Sequence, residues 1–149
     1  HCYNLEADLN KWLKSKPENV AFRRIPAIFP NRPAWAFHAQ VYYTAEALEL
    51  LDKTHASFFE RIHELKKPMQ TEEEIAAFFA EFGIGKKDFD SAWKSFAVNI
   101  KVKRARELTQ RYNINAVPTL IVNGEFQTGN SLSGSSENTF AVINQLTQR

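Results

Sequence analysis

Thiol chemistry is almost absent from this sequence: its 149 residues hold one cysteine, at position 2. A disulfide closed within the chain is therefore excluded. Charge of one sign is lacking too. Lys and Arg number 19 against 17 Asp and Glu, a net charge of +2, which falls short of the strong basic field by which proteins hold nucleic acid. The densest basic run, KVKRAR at 101–106, sits inside a helical pattern and reads as a solvated helix face. No apolar run approaches the about 20 residues that a bilayer-spanning helix needs. The start has neither a Met nor the charged-then-apolar leader of a secretory signal, so the sequence is expected to begin after processing or within a longer protein. Repeats and low-complexity tracts are missing. His38, His55 and His63 have no metal-ligand pattern, the last two being too far apart on one helix to share an ion, so no metal is expected.

What remains is a chain that is 44% apolar and 13% aromatic, enough for one well-filled core and short for two. From position 2 to 14, Cys2, Leu5, Leu9, Trp12 and Leu13 recur at intervals of three and four, the stripe of an amphipathic helix with Cys2 in its first turn. VAFRRIPAIF at 20–29 reads as a strand, with Pro26 tolerated near its end or at an edge. Asn31 and Pro33 look like the cap region and first-turn proline of a helix reaching about Leu51. HASFFERIHELKK reads as a second helix, stopped by Pro68. TEEEIAAFFAEFG opens with a capping box, Thr71 and Glu74, and Gly83 can close it. Asp88 to Tyr112 is one long helix or two in succession. Trp35 and Trp93 read as core aromatics. Thereafter TLIVNGEFQ at 119–127 joins two short strands through Asn123-Gly124, the pair preferred in a two-residue type I′ hairpin. A Gly/Ser-rich loop at 129–136 leads into a closing helix, ENTFAVINQLTQ.

That order, helix, strand, block of helices, hairpin, helix, is the order of an α/β thioredoxin-like fold with a helical domain inserted in its middle and its first, central strand missing. The first helix would cross over to a strand at 20–29, and a right-handed crossover needs a parallel strand before it. The expected division is 1–30 with 113–149 as an incomplete thioredoxin-like domain, and 31–112 as the inserted helical domain with its connecting helix. With a central strand missing, the 149 residues alone are expected to be largely unfolded or aggregated.

Taken alone, a single Cys on an apolar helix stripe reads as a small buried hydrophobe. The long-range pattern changes that reading. His1-Cys2-Tyr3 at a helix start, the helical insertion, FDSAWKSF at 89–96 and INAVPTLIVNGEFQ at 114–127 together resemble the DsbA family of bacterial periplasmic thiol:disulfide oxidoreductases. Its motif is Cys-X-His-Cys. The resemblance makes His1 and Cys2 the third and fourth residues of that motif and puts the nucleophilic Cys two positions upstream, outside this sequence.

The resemblance implies the remaining expectations. Cys2 is the resolving thiol, and a protonated His1 helps hold the upstream sulfur as a thiolate at the N-terminus of the first helix, where unpaired N–H groups favour an anion. Pro118 is a cis proline facing the active site, and Val117, with Thr119 beyond it, offers backbone to an extended peptide. Arg24 matches a basic position beneath the active site whose acidic partner lies on the missing strand. No cofactor is needed beyond a redox-active disulfide. The protein is expected to be a periplasmic monomer that oxidises unfolded secreted or periplasmic proteins and is reoxidised by a DsbB-like membrane quinone reductase, with no nucleic acid and no metal as partners. Two alternatives stand beside this: a redox-inactive peptide-binding or chaperone-like module, and a kappa-class glutathione transferase or isomerase. The first residue of the motif, two before His1, separates them, and Cys2 itself argues against the transferase, which has no use for a resolving thiol.

Overall fold

The computed structural model describes residues 2–148, and the chain divides into two units, residues up to Arg24 together with Ile114 onward, and Ile25–Asn113. In the first unit, α1 spans Cys2–Ser15. Its predicted stripe is the face that packs: Leu5, Leu9 and Trp12 are buried and cluster with Val122, Phe140 and Ile143. Trp12 stacks on Phe140 with ring centroids 5.6 Å apart, and its indole Nε1–H donates to Asn144 Oδ1 at 2.9 Å. The indole thus buries its apolar body without orphaning its donor.

The hairpin forms from β1 (Leu120–Val122) and β2 (Phe126–Thr128), antiparallel with Leu120 opposite Thr128 and Val122 opposite Phe126. Asn123 and Gly124 both take positive φ, 55° and 69°, and the Glu125 N–H donates to the Val122 carbonyl at 3.1 Å. These are the dihedral signs that Asn-Gly supplies cheaply. The connection is one residue longer than the expected two-residue hairpin, because Glu125 lies outside the pairing. The loop expected at 129–136 contains a short helix, α7 (Asn130–Ser133), before the closing helix, labelled α8 (Ser136–Leu146). Ser135 caps that closing helix by accepting from the Asn138 N–H, as its position before an apolar helical stripe favours.

Residues 20–29 are not a strand. Their burial alternates over 20–25, with Val20, Phe22 and Arg24 half-buried and Ala21, Arg23 and Ile25 exposed. What is missing is a ladder: among the described residues the sheet has two strands, β1 and β2. A strand is completed by a neighbour's N–H and C=O groups rather than by its own sequence, and among the described residues none pairs with this segment. The far end of the segment is tied elsewhere. The Ile28 N–H donates to Thr109 Oγ1 at 3.1 Å, and residues 25–30 group with the helices rather than with the hairpin unit.

The second unit comprises α2 (Pro33–Ala47), α3 (Leu51–His63), α4 (Glu72–Ala80), α5 (Lys86–Trp93) and α6 (Phe96–Arg111). Pro33 occupies the first helical position, with Arg32 rather than Asn31 at the cap and no side-chain cap bond. The helix ends near Ala47 instead of Leu51 because the chain turns at Glu49, φ 58°, and a new helix starts at Leu51. Thr71 caps α4 through the Glu74 N–H at 3.2 Å, while the Thr71 hydroxyl donates to Glu74 Oε1 at 3.0 Å. The stretch after Asp88 is two helices, divided at Ser95, whose Oγ accepts from the Val98 N–H at 3.2 Å. The core is aromatic: Ile75, Phe78 and Phe79 are fully buried, with Phe89 and Trp93 beside them. Burial of one such side chain stabilises by about 1.5–3 kcal/mol. Trp35, by contrast, is half-buried and packs on Phe29 with centroids 4.8 Å apart, outside that cluster.

Candidate functional site

The described site residues all belong to the first unit. Cys2 stands in the first turn of α1 as a half-buried free thiol. Burial pushes its pKa above the ordinary thiol value, and the Glu6 carboxylate raises it further. Glu6 follows Cys2 by four residues, the spacing that brings two side chains to one helix face. The sulfur is therefore a neutral thiol at neutral pH, shielded and poorly nucleophilic. His1, read as the residue supporting the neighbouring thiolate, lies outside the described residues.

Glu6 is also where Arg24 goes. Arg24 Nη2 lies 3.0 Å from Glu6 Oε2, with both side chains largely buried, and the guanidinium stands over the Phe22 ring, 5.2 Å from its centroid. The Nε of Arg24 is buried without a hydrogen-bond partner among the described residues. The acid that meets Arg24 in this chain is thus one turn along α1 from the cysteine. Glu6 escaped the sequence reading, although its i+4 spacing from Cys2 was there to be seen.

On the hairpin side, the Val117–Pro118 peptide bond is cis. Val117, Pro118 and Thr119 are half-buried, so part of this segment stays open to solvent. The Thr119 hydroxyl donates to the Ala116 carbonyl at 2.6 Å, which bridges the segment across the proline. Gly129 is the second residue that sequence reading missed. A Cβ on it would stand 3.0 Å from the Pro118 carbonyl oxygen and 3.9 Å from Thr119 Cα. A glycine in a Gly/Ser-rich stretch carries no local mark of such an approach.

The three histidines take roles in the helical unit. His38 is half-buried on α2, with Nε2 3.0 Å from the Met69 carbonyl, and burial lowers its pKa. His55 and His63 lie on α3, His55 edge-on to Phe59 and His63 tilted against the same ring.

Comparison with known proteins agrees with this arrangement. Residues 4–137 match the family model described as a DSBA-like thioredoxin domain. The chain is 38% identical over 149 residues to the thiol:disulfide interchange protein DsbA of Azotobacter vinelandii, covering all of this chain and 69% of that protein. The crystal structure of Pseudomonas aeruginosa DsbA superposes with a TM-score of 0.90 at 33% identity, over 99% of this chain and 76% of that one. The oxidoreductase DsbA of Xylella fastidiosa gives a TM-score of 0.89 at 25% identity, over 100% and 79%.

Proposed function

The chain belongs to the DSBA-like thioredoxin-domain family of thiol:disulfide oxidoreductases, and we propose that Cys2 is the resolving thiol of its disulfide-donating reaction. The fold is thioredoxin-like with a helical insertion, and the substrates are proteins. The observation that carries the proposal is the state of Cys2: a free thiol in the first turn of α1, half-buried and held neutral.

Exchange needs a second sulfur, and these 149 residues hold one cysteine. The proposed second thiol is the first Cys of the family motif, at the helix N-terminus two positions before His1 and three before Cys2. In the oxidised enzyme the two sulfurs are bonded. A substrate thiolate attacks the upstream sulfur, the enzyme disulfide breaks, and the electron pair departs on Cys2, which takes a proton. A second substrate thiolate then attacks the substrate sulfur of the mixed disulfide and releases the upstream thiolate. The substrate has gained a disulfide and the enzyme two electrons. Raising the pKa of Cys2 suits its part, because a protonated Cys2 does not attack the mixed disulfide and return the enzyme to its starting state. Stabilising the upstream thiolate falls to the unpaired N–H groups of the first turn and, in this proposal, to His1.

Substrate docks as an added strand on the backbone of Val117, with Thr119 continuing the edge, a mode that tolerates many sequences because the contacts are main-chain. Pro118, which has no N–H, keeps a competing donor away from the sulfurs. Arg24 balances the charge of Glu6 beneath the site. The proposed setting is the periplasm, the proposed substrates unfolded secreted or periplasmic proteins, the proposed form a monomer, and the proposed oxidant a DsbB-like membrane quinone reductase, with no cofactor besides the redox-active disulfide. Refolding of a reduced, disulfide-requiring protein is the test. The oxidised full-length protein should accelerate recovery of activity, and a Cys2→Ser variant, which cannot form the enzyme disulfide, should give no acceleration. No acceleration by the unmodified protein would remove the proposal.

A further inference from the structure

We infer that Gly129 is a positioning residue for the peptide-docking segment 117–119, a glycine because any side chain there would push that segment out of place. The inference rests on the docking role given above to Val117. The backbone of Gly129 lies outside the left-handed region, so its conformation does not call for glycine; the space does. The hairpin register pairs Leu120 with Thr128, which sets Thr119 opposite Gly129 one step further out. In that position a Cβ would meet the Pro118 carbonyl oxygen at 3.0 Å, closer than carbon and oxygen rest against one another, and the obstacle is main chain that cannot swing aside as a side chain would.

Gly129 is itself held firmly. Its carbonyl accepts from the Leu132 N–H at 3.0 Å and the Ser133 N–H at 2.9 Å. Thr128 Oγ1 and Ser133 Oγ are 2.9 Å apart, and Asn138 Nδ2 donates to the Ser133 carbonyl at 3.0 Å, tying the turn to α8. With Gly129 pinned from behind, the segment that yields to an added methyl is 117–119. The hairpin edge then presents its backbone at a shifted distance and angle to the incoming peptide. Binding suffers and the sulfur chemistry does not.

The test is Gly129→Ala in the full-length protein, read by two measurements with a cysteine-containing peptide: KM and kcat for its oxidation, and, by fluorescence anisotropy, Kd for the same peptide carrying Ser in place of Cys. KM and Kd are expected to rise together about tenfold, with kcat within about twofold of the parent, since misplacing a docking group by a fraction of an ångström acts on binding geometry. Gly85→Ala, where a Cβ meets nothing within 4 Å, should change none of the three. Unchanged KM and Kd, or a loss confined to kcat or to the active fraction, would overturn the inference. Should Gly129→Ala not fold, Thr128→Val removes the hydroxyl contact to Ser133 and slackens the same clamp. KM and Kd should then rise about two- to threefold, the worth of one hydrogen bond, and unchanged values in that folded variant would overturn the inference equally. A parent protein that binds the Ser peptide yet oxidises nothing would sink the redox reading, while the Kd comparison would still judge Gly129.

Discussion

At Cys2 two influences act in one direction, burial and the Glu6 carboxylate, and both hold the proton on the sulfur. A group whose pKa is raised by folding contributes stability that is complete below its unfolded pKa and is lost as pH rises through its folded pKa. The folded chain should therefore lose stability above about pH 8.5, where an unfolded thiol ionises, by an amount that Cys2→Ala abolishes. Denaturant midpoints at pH 7 and pH 9.5 for the two chains check this; equal pH dependence in both would refute it. Glu6→Gln removes a carboxylate from the thiol's helix face, so iodoacetamide should alkylate Cys2 faster in that variant at a fixed mildly alkaline pH, and a slower or equal rate would show that Glu6 does not reach the sulfur. Arg24 is coupled to the same carboxylate at 3.0 Å. Arg24→Met leaves Glu6 without this cation in a largely buried place and should cost about 1–3 kcal/mol by urea denaturation, between the values for exposed and buried pairs.

Among the elements, the division of the segment after Asp88 into α5 and α6 depends on Ser95. Its Oγ accepts the Val98 N–H at 3.2 Å and donates to the Ala92 carbonyl at 2.8 Å, so one hydroxyl closes one helix and opens the next. Ser95→Ala should destabilise the protein by about 1 kcal/mol, and Ser95→Asp, which keeps the acceptor and favours the helix N-terminus, should recover most of that loss. A Ser95→Ala chain with an unchanged denaturant midpoint would mean that packing alone sets the break. The hairpin shows a related economy. Asn123 and Gly124 supply both positive φ values, and the register they start runs on to place Thr119 opposite Gly129, so a surface turn determines where segment 117–119 sits.

For the whole molecule, the two units rest on very different cores. In the helical unit Ile75, Phe78 and Phe79 are fully excluded from water among further aromatics. Among the described residues of the other unit, the apolar cluster holds six buried side chains beside two strands of three residues each. Amide hydrogen exchange on the full-length protein should accordingly be slow at Ile75, Phe78 and Phe79 and faster by at least about tenfold at Leu120 to Val122, because local opening follows local burial. Equal protection in both would show that the units open as one.

The sequence by itself determined what depends on residues within about four positions of each other. The stripe of α1, the Thr71 cap with Glu74, the proline start of α2 and the Asn123-Gly124 turn were all legible, since periodicity, caps and turn dihedrals are local preferences. The strand expected at 20–29 was a local reading of the same kind. Whether such a segment becomes a strand is decided by tertiary structure, because a ladder requires hydrogen-bonding groups from another segment, and among the described residues none pairs with 20–29. Tertiary structure also decided that Ile28 anchors on Thr109, that Arg24 reaches Glu6, and that Gly129 backs the Pro118 carbonyl. Each of these joins residues separated along the chain through a distance that no local preference encodes, and only the packed backbone sets it.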